Sequence, residues 1–218
     1  MKLYSFNYSC YARKVQMLLD LLGVSYDIVE VSYGNRRELA ELTNGYIQIP
    51  VVIDDQGQIL VDSRNICQIL LANEKNSFMV PKKLAAPIWA YADWCDGPLE
   101  DTFFRLASPR IARQFQSAWE KALFVFVKER KFGQGCVDLW EKQTQVLLEK
   151  AQSLLMPTFE TLKRKEFIFG IEPTLADVAL YGQFAMLRVA DSSLLAKISA
   201  DIEPWMLTLE RKSTKNKK

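Results

Sequence analysis

Residues 48–53 read Gln48-Ile49-Pro50-Val51-Val52-Ile53, and this stretch decides the fold. Pro50 has no backbone N–H to donate to a sheet, so it belongs at the first position of a strand, where a cis peptide bond is also most often tolerated. The sequence Asp-Asp-Gln-Gly at 54–57 then separates Val51–Ile53 from a second strand candidate, Ile59–Val61. Asp and Gly supply the turn conformations that an antiparallel hairpin needs. We therefore predict a β-hairpin that begins at Pro50.

Around this hairpin the sequence predicts a small α/β unit. Gly23 follows the first predicted helix in the position where a left-handed C-terminal cap forms most easily. Ser63 is placed to cap the last helix of the unit. The predicted elements are a strand at Lys2–Phe6, a helix at Ala12–Leu22, a strand at Tyr26–Val31, a short helix at Arg36–Leu42, the hairpin, and a helix carrying Ile66, Ile69 and Leu70. The order β-α-β followed by β-β-α describes an α/β unit of about eighty residues.

The second half of the chain has a different pattern. A polar stretch from Asn73 to Lys82, which contains Val80-Pro81, has the composition of a linker. Beyond it the apolar residues follow a helical period, over Leu84–Leu106, Ile111–Glu129, Val137–Lys163, Leu175–Arg188 and a shorter segment near the end. We predict a first domain over residues 1–76 and an all-helical domain over residues 83–210.

Two short motifs in the second half have structural interpretations. Thr174 and Asp177 have the spacing of a capping box before an apolar helix, so we expect them to stabilise the fold. Gly133-Gln134-Gly135 lacks the preceding strand that a phosphate-binding loop requires, and we interpret it as a turn between helices.

Charge and hydropathy argue against nucleic-acid and membrane partners. The formal net charge of the 218 residues is +2, whereas proteins that follow a nucleic-acid backbone concentrate uncompensated Lys and Arg on one face. We expect the basic stretch Lys212–Lys218 to be a frayed, solvated C-terminus. No run of about eighteen apolar residues is present, so a membrane span is not predicted.

The chain contains no histidine. This excludes Ser-His-Asp hydrolysis, Cys-His proteolysis and the usual zinc sites, because each needs an imidazole as base or ligand. The four cysteines are widely spaced, form no Cys-x-x-Cys motif and follow no secretory leader pattern, which favours reduced thiols in the cytoplasm.

Taken together, these residues resemble the glutathione transferase superfamily. The resemblance is carried by Ile49-Pro50-Val51-Val52 before a hairpin, by Asp62-Ser63 at the start of the next helix, and by Phe-Gly-Ile-Glu-Pro-Thr-Leu-Ala-Asp-Val-Ala at 169–179. It covers essentially the whole chain. It implies an α/β, thioredoxin-like N-terminal domain followed by an all-α C-terminal domain.

The resemblance also implies a glutathione site. The backbone of Ile49, before the cis-proline Pro50, would pair with the cysteinyl part of glutathione, and Gln48 would lie near the tripeptide. Asp62 and Ser63 would receive the γ-glutamyl end, the carboxylate taking the ammonium while the hydroxyl and the helix N-terminus take the carboxylate. The alternatives are that Pro50 only determines the fold and that Asp62 and Ser63 only cap a helix.

Ser9 is the residue that matches the catalytic position of Ser-type members, because it lies six residues before Val15 of the first predicted helix. It would donate a hydrogen bond to the glutathione sulfur, and the helix N-terminus would favour the thiolate. Ser9 could instead be only the N-cap of that helix. Cys10 lies one residue later, where many relatives have proline; it is either a thiolate activated by the same helix end or a buried core thiol.

The resemblance implies attack of the glutathione thiolate on a small hydrophobic electrophile, as in detoxification, or reduction of a peroxide. Glutathione would be a co-substrate, no metal would be needed, and the protein would be a cytoplasmic homodimer. The alternatives are a non-catalytic protein-interaction module with the same fold and a Cys10-dependent glutathione thiol reductase. Trp89, Tyr91 and above all Trp94 are candidates to line the electrophile side of the cleft, with core packing as the other interpretation.

Overall fold

The computed structural model describes residues 1–215. Within these residues the N-terminal part forms a sheet with the strand order β2-β1-β3-β4. Strand β1 pairs in parallel with β2 and antiparallel with β3, and β3 and β4 form the predicted antiparallel hairpin after a cis Ile49–Pro50 bond. The elements are β1 (Lys2–Ser5), α1 (Cys10–Leu21), β2 (Asp27–Glu30), α2 (Arg37–Leu42), β3 (Val51–Ile53), β4 (Ile59–Val61) and α3 (Ser63–Leu71).

The ends of the first helix follow from its capping residues. Helix α1 begins two residues before the predicted start, because the Ser9 hydroxyl oxygen accepts a hydrogen bond from the Ala12 N–H at 3.2 Å. Gly23 has φ 66°, the left-handed conformation that the sequence predicts after the helix.

The prediction that Ser63 caps helix α3 is wrong. Asp62 is the N-cap, and its carboxylate accepts hydrogen bonds from the N–H groups of Arg64 and Asn65 at 2.9 and 3.1 Å. Ser63 is the first helical residue and is buried. The carboxylate of the preceding residue accepts hydrogen bonds from the N–H groups of Arg64 and Asn65, so the Ser63 hydroxyl is not required as their cap.

The rest of the described chain is helical, with more breaks than the sequence predicts. A π-helical turn at Cys95–Leu99 interrupts the predicted helix Leu84–Leu106, and Ser117 caps a new helix after an extended residue at Phe115. Gln143 separates the two parts of the predicted helix Val137–Lys163. The elements are α4 (Ala85–Trp94), α5 (Glu100–Gln114), α6 (Ala118–Phe132), α7 (Cys136–Lys142), α8 (Thr144–Leu162), α9 (Leu175–Asp191), α10 (Ser193–Ile198) and α11 (Ile202–Lys215). The sequence 133–135 connects α6 to α7, as predicted.

Helix α11 extends into the basic stretch at the C-terminus. Lys212 forms an ion pair with Glu172 at 3.1 Å, so the prediction of fraying is wrong for this residue. Residues 213–215 of the predicted basic tail also belong to α11, and residues 216–218 lie outside the described residues. No helix in residues 1–215 is both long enough and apolar enough to cross a membrane.

Close packing of α1 on α9 holds the two parts of the chain together. A Cβ added to Gly182 of α9 would lie 2.5 Å from the carbonyl oxygen of Cys10, so only glycine permits this approach. Lys14 of α1 forms a buried ion pair with Asp96 of the π-helical turn. The N-terminus of α1, which carries Ser9, is therefore fixed against the helical part.

Candidate functional site

A cavity of about 330 Å³ lies at the N-terminus of α3; we call it the polar cavity. It brings together Asp62 and Ser63, the two residues that the sequence predicts for the γ-glutamyl end of glutathione, with Gln48 and Ile49. Its lining consists of Tyr11, Tyr46, Gln48, Ile49, Asp62, Ser63, Arg64, Asp93 and Asp96. The polar cavity is therefore lined by three carboxylates, those of Asp62, Asp93 and Asp96, and by the N-terminus of α3.

Asp62 has a backbone conformation that is uncommon for a residue other than glycine, with φ 68°. Oδ1 of Asp62 accepts both hydrogen bonds from the backbone, those of the Arg64 and Asn65 N–H groups. The residue is exposed to solvent. Oδ2 accepts no hydrogen bond from the described residues. The carboxylate can therefore cap α3 and still bind a cation in the polar cavity.

A second cavity, of about 270 Å³, lies where the first strand, α5 and α6 meet; we call it the aromatic cavity. It shares Tyr11, Gln48 and Ile49 with the polar cavity. Its other lining residues are Phe6, Tyr8, Ser9, Cys10, Tyr33, Arg36, Glu100, Phe104, Ser108, Ile111, Phe124, Lys128 and Met186. A ligand that follows Gln48 and Ile49 would pass from the polar cavity to the aromatic cavity.

Ser9 lies in the wall of the aromatic cavity, at the N-terminus of α1. Its oxygen accepts a hydrogen bond from the Ala12 N–H, so Ser9 is the N-cap of α1. A hydroxyl group can accept one hydrogen bond and donate another, and within the described residues the Ser9 hydroxyl donates to no acceptor. It is thus able to donate to an anion beside the helix end.

Cys10 is only 4% exposed. Burial raises the pKa of its thiol well above the ordinary value, and the carboxylates of Glu100 and Asp96 act in the same direction. The neutral thiol is a poor nucleophile compared with the thiolate. The geometry therefore favours the interpretation of Cys10 as a core thiol.

Of the two interpretations of Trp89, Tyr91 and Trp94, the structure favours packing over cleft lining, because none of the three lies in the wall of either cavity. The Tyr91 hydroxyl lies 2.7 Å from the Thr158 hydroxyl in the helical core, and the rings of Tyr91 and Trp94 pack together with centroids 5.2 Å apart. The Arg64 guanidinium covers the ring of Trp89 at 4.7 Å.

Helices α5 and α6 supply the residues that sequence reasoning missed. Phe104, Ser108 and Ile111 are spaced at i, i+4 and i+7 on α5, and Phe124 and Lys128 are spaced at i and i+4 on α6. Such spacings place side chains on one face of a helix, and this shared face is the part of the arrangement that the sequence indicates. The sequence does not show which helical face turns toward the sheet.

The described residues hold neither a metal-ligand cluster nor a disulfide. Within residues 1–215, no group of three or more His, Cys, Asp or Glu side chains is arranged to hold a metal ion. The four cysteines, all of them in the described part of the chain, are free and buried.

Comparison with known proteins identifies the fold. Residues 3–78 match the family model described as "Glutathione S-transferase, N-terminal domain". A glutathione S-transferase of Ceriporiopsis subvermispora, solved in complex with glutathione, superposes with a TM-score of 0.81 at 17% sequence identity, over 100% of this chain and 97% of that chain. Glutathione transferase GSTFuA2 of Phanerochaete chrysosporium gives a TM-score of 0.75 at 15% identity, over 97% of each chain.

A protein of a different name has the same fold. Glutaredoxin 2 of Salmonella typhimurium, also solved with glutathione, gives a TM-score of 0.72 at 16% identity, over 98% of this chain and 94% of that chain. No sequence among the curated proteins matches. The thioredoxin-like domain followed by a helical part is thus the fold of glutathione transferases, and the match over residues 3–78 supports the glutathione transferase superfamily.

Proposed function

We propose that this protein is a Ser-type glutathione transferase that conjugates glutathione to a small hydrophobic electrophile. One observation carries the proposal: the polar cavity and the aromatic cavity meet at Gln48 and Ile49, and Ser9 lines the aromatic cavity beside this junction. A tripeptide with charged ends and a central thiol fits this arrangement, because its sulfur would enter the aromatic cavity.

The polar cavity supplies partners for the γ-glutamyl end. The hydroxyl and the backbone N–H of Ser63, the first residue of α3, would bind the α-carboxylate, and the unused Oδ2 of Asp62 would bind the ammonium. Asp93 and Asp96 line the same cavity, and their carboxylates already form ion pairs with Arg64 and Lys14, which leaves Asp62 as the carboxylate for the ammonium. The backbone of Ile49 would pair with the cysteinyl part.

Ser9 would act on the sulfur. Its hydroxyl would donate a hydrogen bond to the thiolate, and the N–H groups at the start of α1 would add positive potential, so the pKa of bound glutathione would fall. The electrophile would occupy the aromatic cavity, where the thiolate lies within attacking distance; this positioning replaces a bimolecular encounter. The same thiolate could reduce an organic hydroperoxide.

A panel of electrophiles tests the reaction. Aryl halides, isothiocyanates and organic hydroperoxides are assayed with saturating glutathione, and a pull-down from the source cell tests for a stoichiometric protein partner. We expect glutathione-dependent turnover of at least one class. If no compound of the panel is turned over and a protein partner still binds the Ser9→Ala and Asp62→Ala variants, the proposed transferase is wrong and the protein is an interaction module.

The Cys10-dependent thiol reductase has a direct test of its own. The burial of Cys10 opposes that reaction, because the raised pKa keeps the thiol protonated near neutral pH. Loss of mixed-disulfide reduction in Cys10→Ala, with Ser9→Ala nearly unaffected, would establish the reductase in place of the transferase.

We also propose that the protein is a cytoplasmic homodimer. Four buried, unpaired cysteines suit a reducing compartment. Sedimentation equilibrium is the measurement for the assembly, and a monomer at micromolar concentration would contradict it.

A further inference from the structure

The aromatic cavity contains a lysine without an acidic partner. Lys128 is only 7% exposed, and its Nζ lies 3.5 Å from the ring centroid of Phe124. Nζ donates a hydrogen bond to the Tyr33 hydroxyl at 3.4 Å, and it forms no ion pair with any carboxylate of the described residues. A buried ammonium is costly unless it is paired, so an anion bound beside Nζ would stabilise this position.

Other hydrogen-bonding groups in the wall of the aromatic cavity also lack partners. The hydroxyl groups of Tyr8 and Ser108 are buried, and within the described residues neither has a hydrogen-bond partner. Almost all buried polar groups in folded proteins are hydrogen-bonded. Both hydroxyls can donate, as Lys128 can, so the wall is suited to a ligand that accepts hydrogen bonds.

The charges around Lys128 favour an anion. Arg36 and Lys128 line the cavity, and among the described lining residues Glu100 is the one carboxylate. Burial raises the pKa of Glu100 to about 7, so its negative charge is weakened near neutral pH. Burial lowers the pKa of Lys128 to about 7; Arg36 and Lys131 also lower it, while Cys136 and Glu100 raise it. An anion bound at Nζ would restore the full ammonium.

We propose that the second substrate is a small aromatic molecule with one carboxylate group, which pairs with Lys128 while its apolar body packs against Phe104 and Phe124. The rings of Phe104 and Tyr33 each lie 5.3 Å from Nζ, so an aromatic body and a charged group can be bound together. The identification of this ligand as a substrate rests on the proposed function. Its chemistry rests on the cavity alone.

A neutral carbonyl group fits the cavity less well than a carboxylate. A neutral acceptor would satisfy a hydrogen bond and leave the buried positive charge uncompensated. Hydrogen bonds between an ammonium and a carboxylate are about twice as strong as those between neutral groups. The cavity should therefore discriminate between two ligands of the same shape that differ in charge.

Calorimetry with a matched pair of ligands tests this proposal on the intact protein. We expect 3-phenylpropanoate to bind at least about 10-fold more tightly than 3-phenylpropanamide near pH 7. Titrations in buffers of different ionisation enthalpy should show proton uptake when the carboxylate binds and none when the amide binds. The affinity for the carboxylate should fall as the pH rises from about 6 to about 9, because Lys128 loses its proton. Equal affinities for the carboxylate and the amide would overturn the proposal.

Two variants assign the effect to Lys128. Lys128→Met should abolish the preference for the carboxylate and retain the binding of the amide, while Glu100→Gln, which keeps the lysine, should strengthen binding of the carboxylate. Thermal melts confirm that each variant is folded. A preference that persists in Lys128→Met would refute the proposal.

A glutathione titration separates this inference from the proposed function. A protein that binds glutathione and shows no preference for the carboxylate keeps its proposed function and loses the anion site. A protein that prefers the carboxylate and does not bind glutathione keeps the anion site and loses the proposed function.

Discussion

Two aspartates, Asp62 and Asp177, lie at the starts of helices α3 and α9. They differ in how many of their carboxylate oxygens accept hydrogen bonds. Asp177 is fully buried and uses both oxygens: Oδ1 accepts from the Ile168 N–H at 2.9 Å, and Oδ2 accepts from the N–H and hydroxyl of Thr174 at 2.8 and 2.9 Å. Asp62 is exposed and uses Oδ1 alone. An aspartate that accepts backbone hydrogen bonds at a helix start thus completes the fold at α9 and leaves a free anion beside a cavity at α3.

The largest effect is expected from Asp177→Ala. The change leaves two buried N–H groups without an acceptor, so the free energy of unfolding should fall by roughly 3 kcal/mol or more. Urea unfolding measures this loss, and Asp177→Asn, which keeps one acceptor oxygen, should lose less. A loss below about 1 kcal/mol in Asp177→Ala would show that the buried cap does not stabilise the fold.

The two aspartates should also respond differently to pH. Burial raises the pKa of Asp177 to about 6, although the hydrogen bonds from Ile168 and Thr174 oppose this rise. Because the folded-state pKa lies above the unfolded value of about 3.9, the stabilisation is complete below about pH 4 and is lost as the pH rises through about 6.

The free energy of unfolding of the wild type should therefore fall relative to Asp177→Asn by up to roughly 2 kcal/mol over this range. Urea unfolding at several pH values gives the difference. A difference that is constant with pH would show that Asp177 does not titrate in this range.

A smaller effect is expected at Ser9, which caps α1 and lines the aromatic cavity. Ser9→Ala should lower turnover roughly 10-fold and raise the pKa of bound glutathione, seen in the ultraviolet thiolate band, because a hydrogen bond to the anion is lost. Ser117 caps α6 with the same geometry and lines neither cavity. Ser117→Ala is the matched control.

The control and a second variant decide what Ser9 does. Ser117→Ala should lose comparable stability, about 1 kcal/mol, with unchanged turnover, and Cys10→Ala should leave conjugation largely intact. Equal loss of turnover in the Ser9 and Ser117 variants would assign only a capping role to Ser9.

Features that depend on neighbouring residues in the sequence were predictable. The hairpin after Pro50, the left-handed Gly23 and the capping box at Thr174 and Asp177 all follow from one or two residues and their spacing. The same holds for the position of Asp62-Ser63 at the start of α3, although the capping role belongs to Asp62.

Features that depend on how helices pack were not predictable from one sequence. The π-helical turn at Cys95–Leu99 and the break at Phe115 set the directions of α5 and α6. These directions bring Phe104 and Lys128 to the cavity and leave Trp94 packed against Tyr91. A periodic pattern shows that a helix has an apolar face, whereas the choice of the element it contacts is made by tertiary packing.

A calorimetric titration with glutathione, comparing the wild type with Asp62→Asn, tests the central claim most directly. Asparagine caps a helix about as well as aspartate, so the variant removes the free charge and keeps the stability of α3. We expect the wild type to bind with a Kd between about micromolar and millimolar. We expect the variant to bind more weakly by on the order of 1–3 kcal/mol with an unchanged melting temperature. Absence of heat and of a thermal shift in the wild type at several millimolar glutathione, or equal affinity in both proteins, would contradict the assignment of this site.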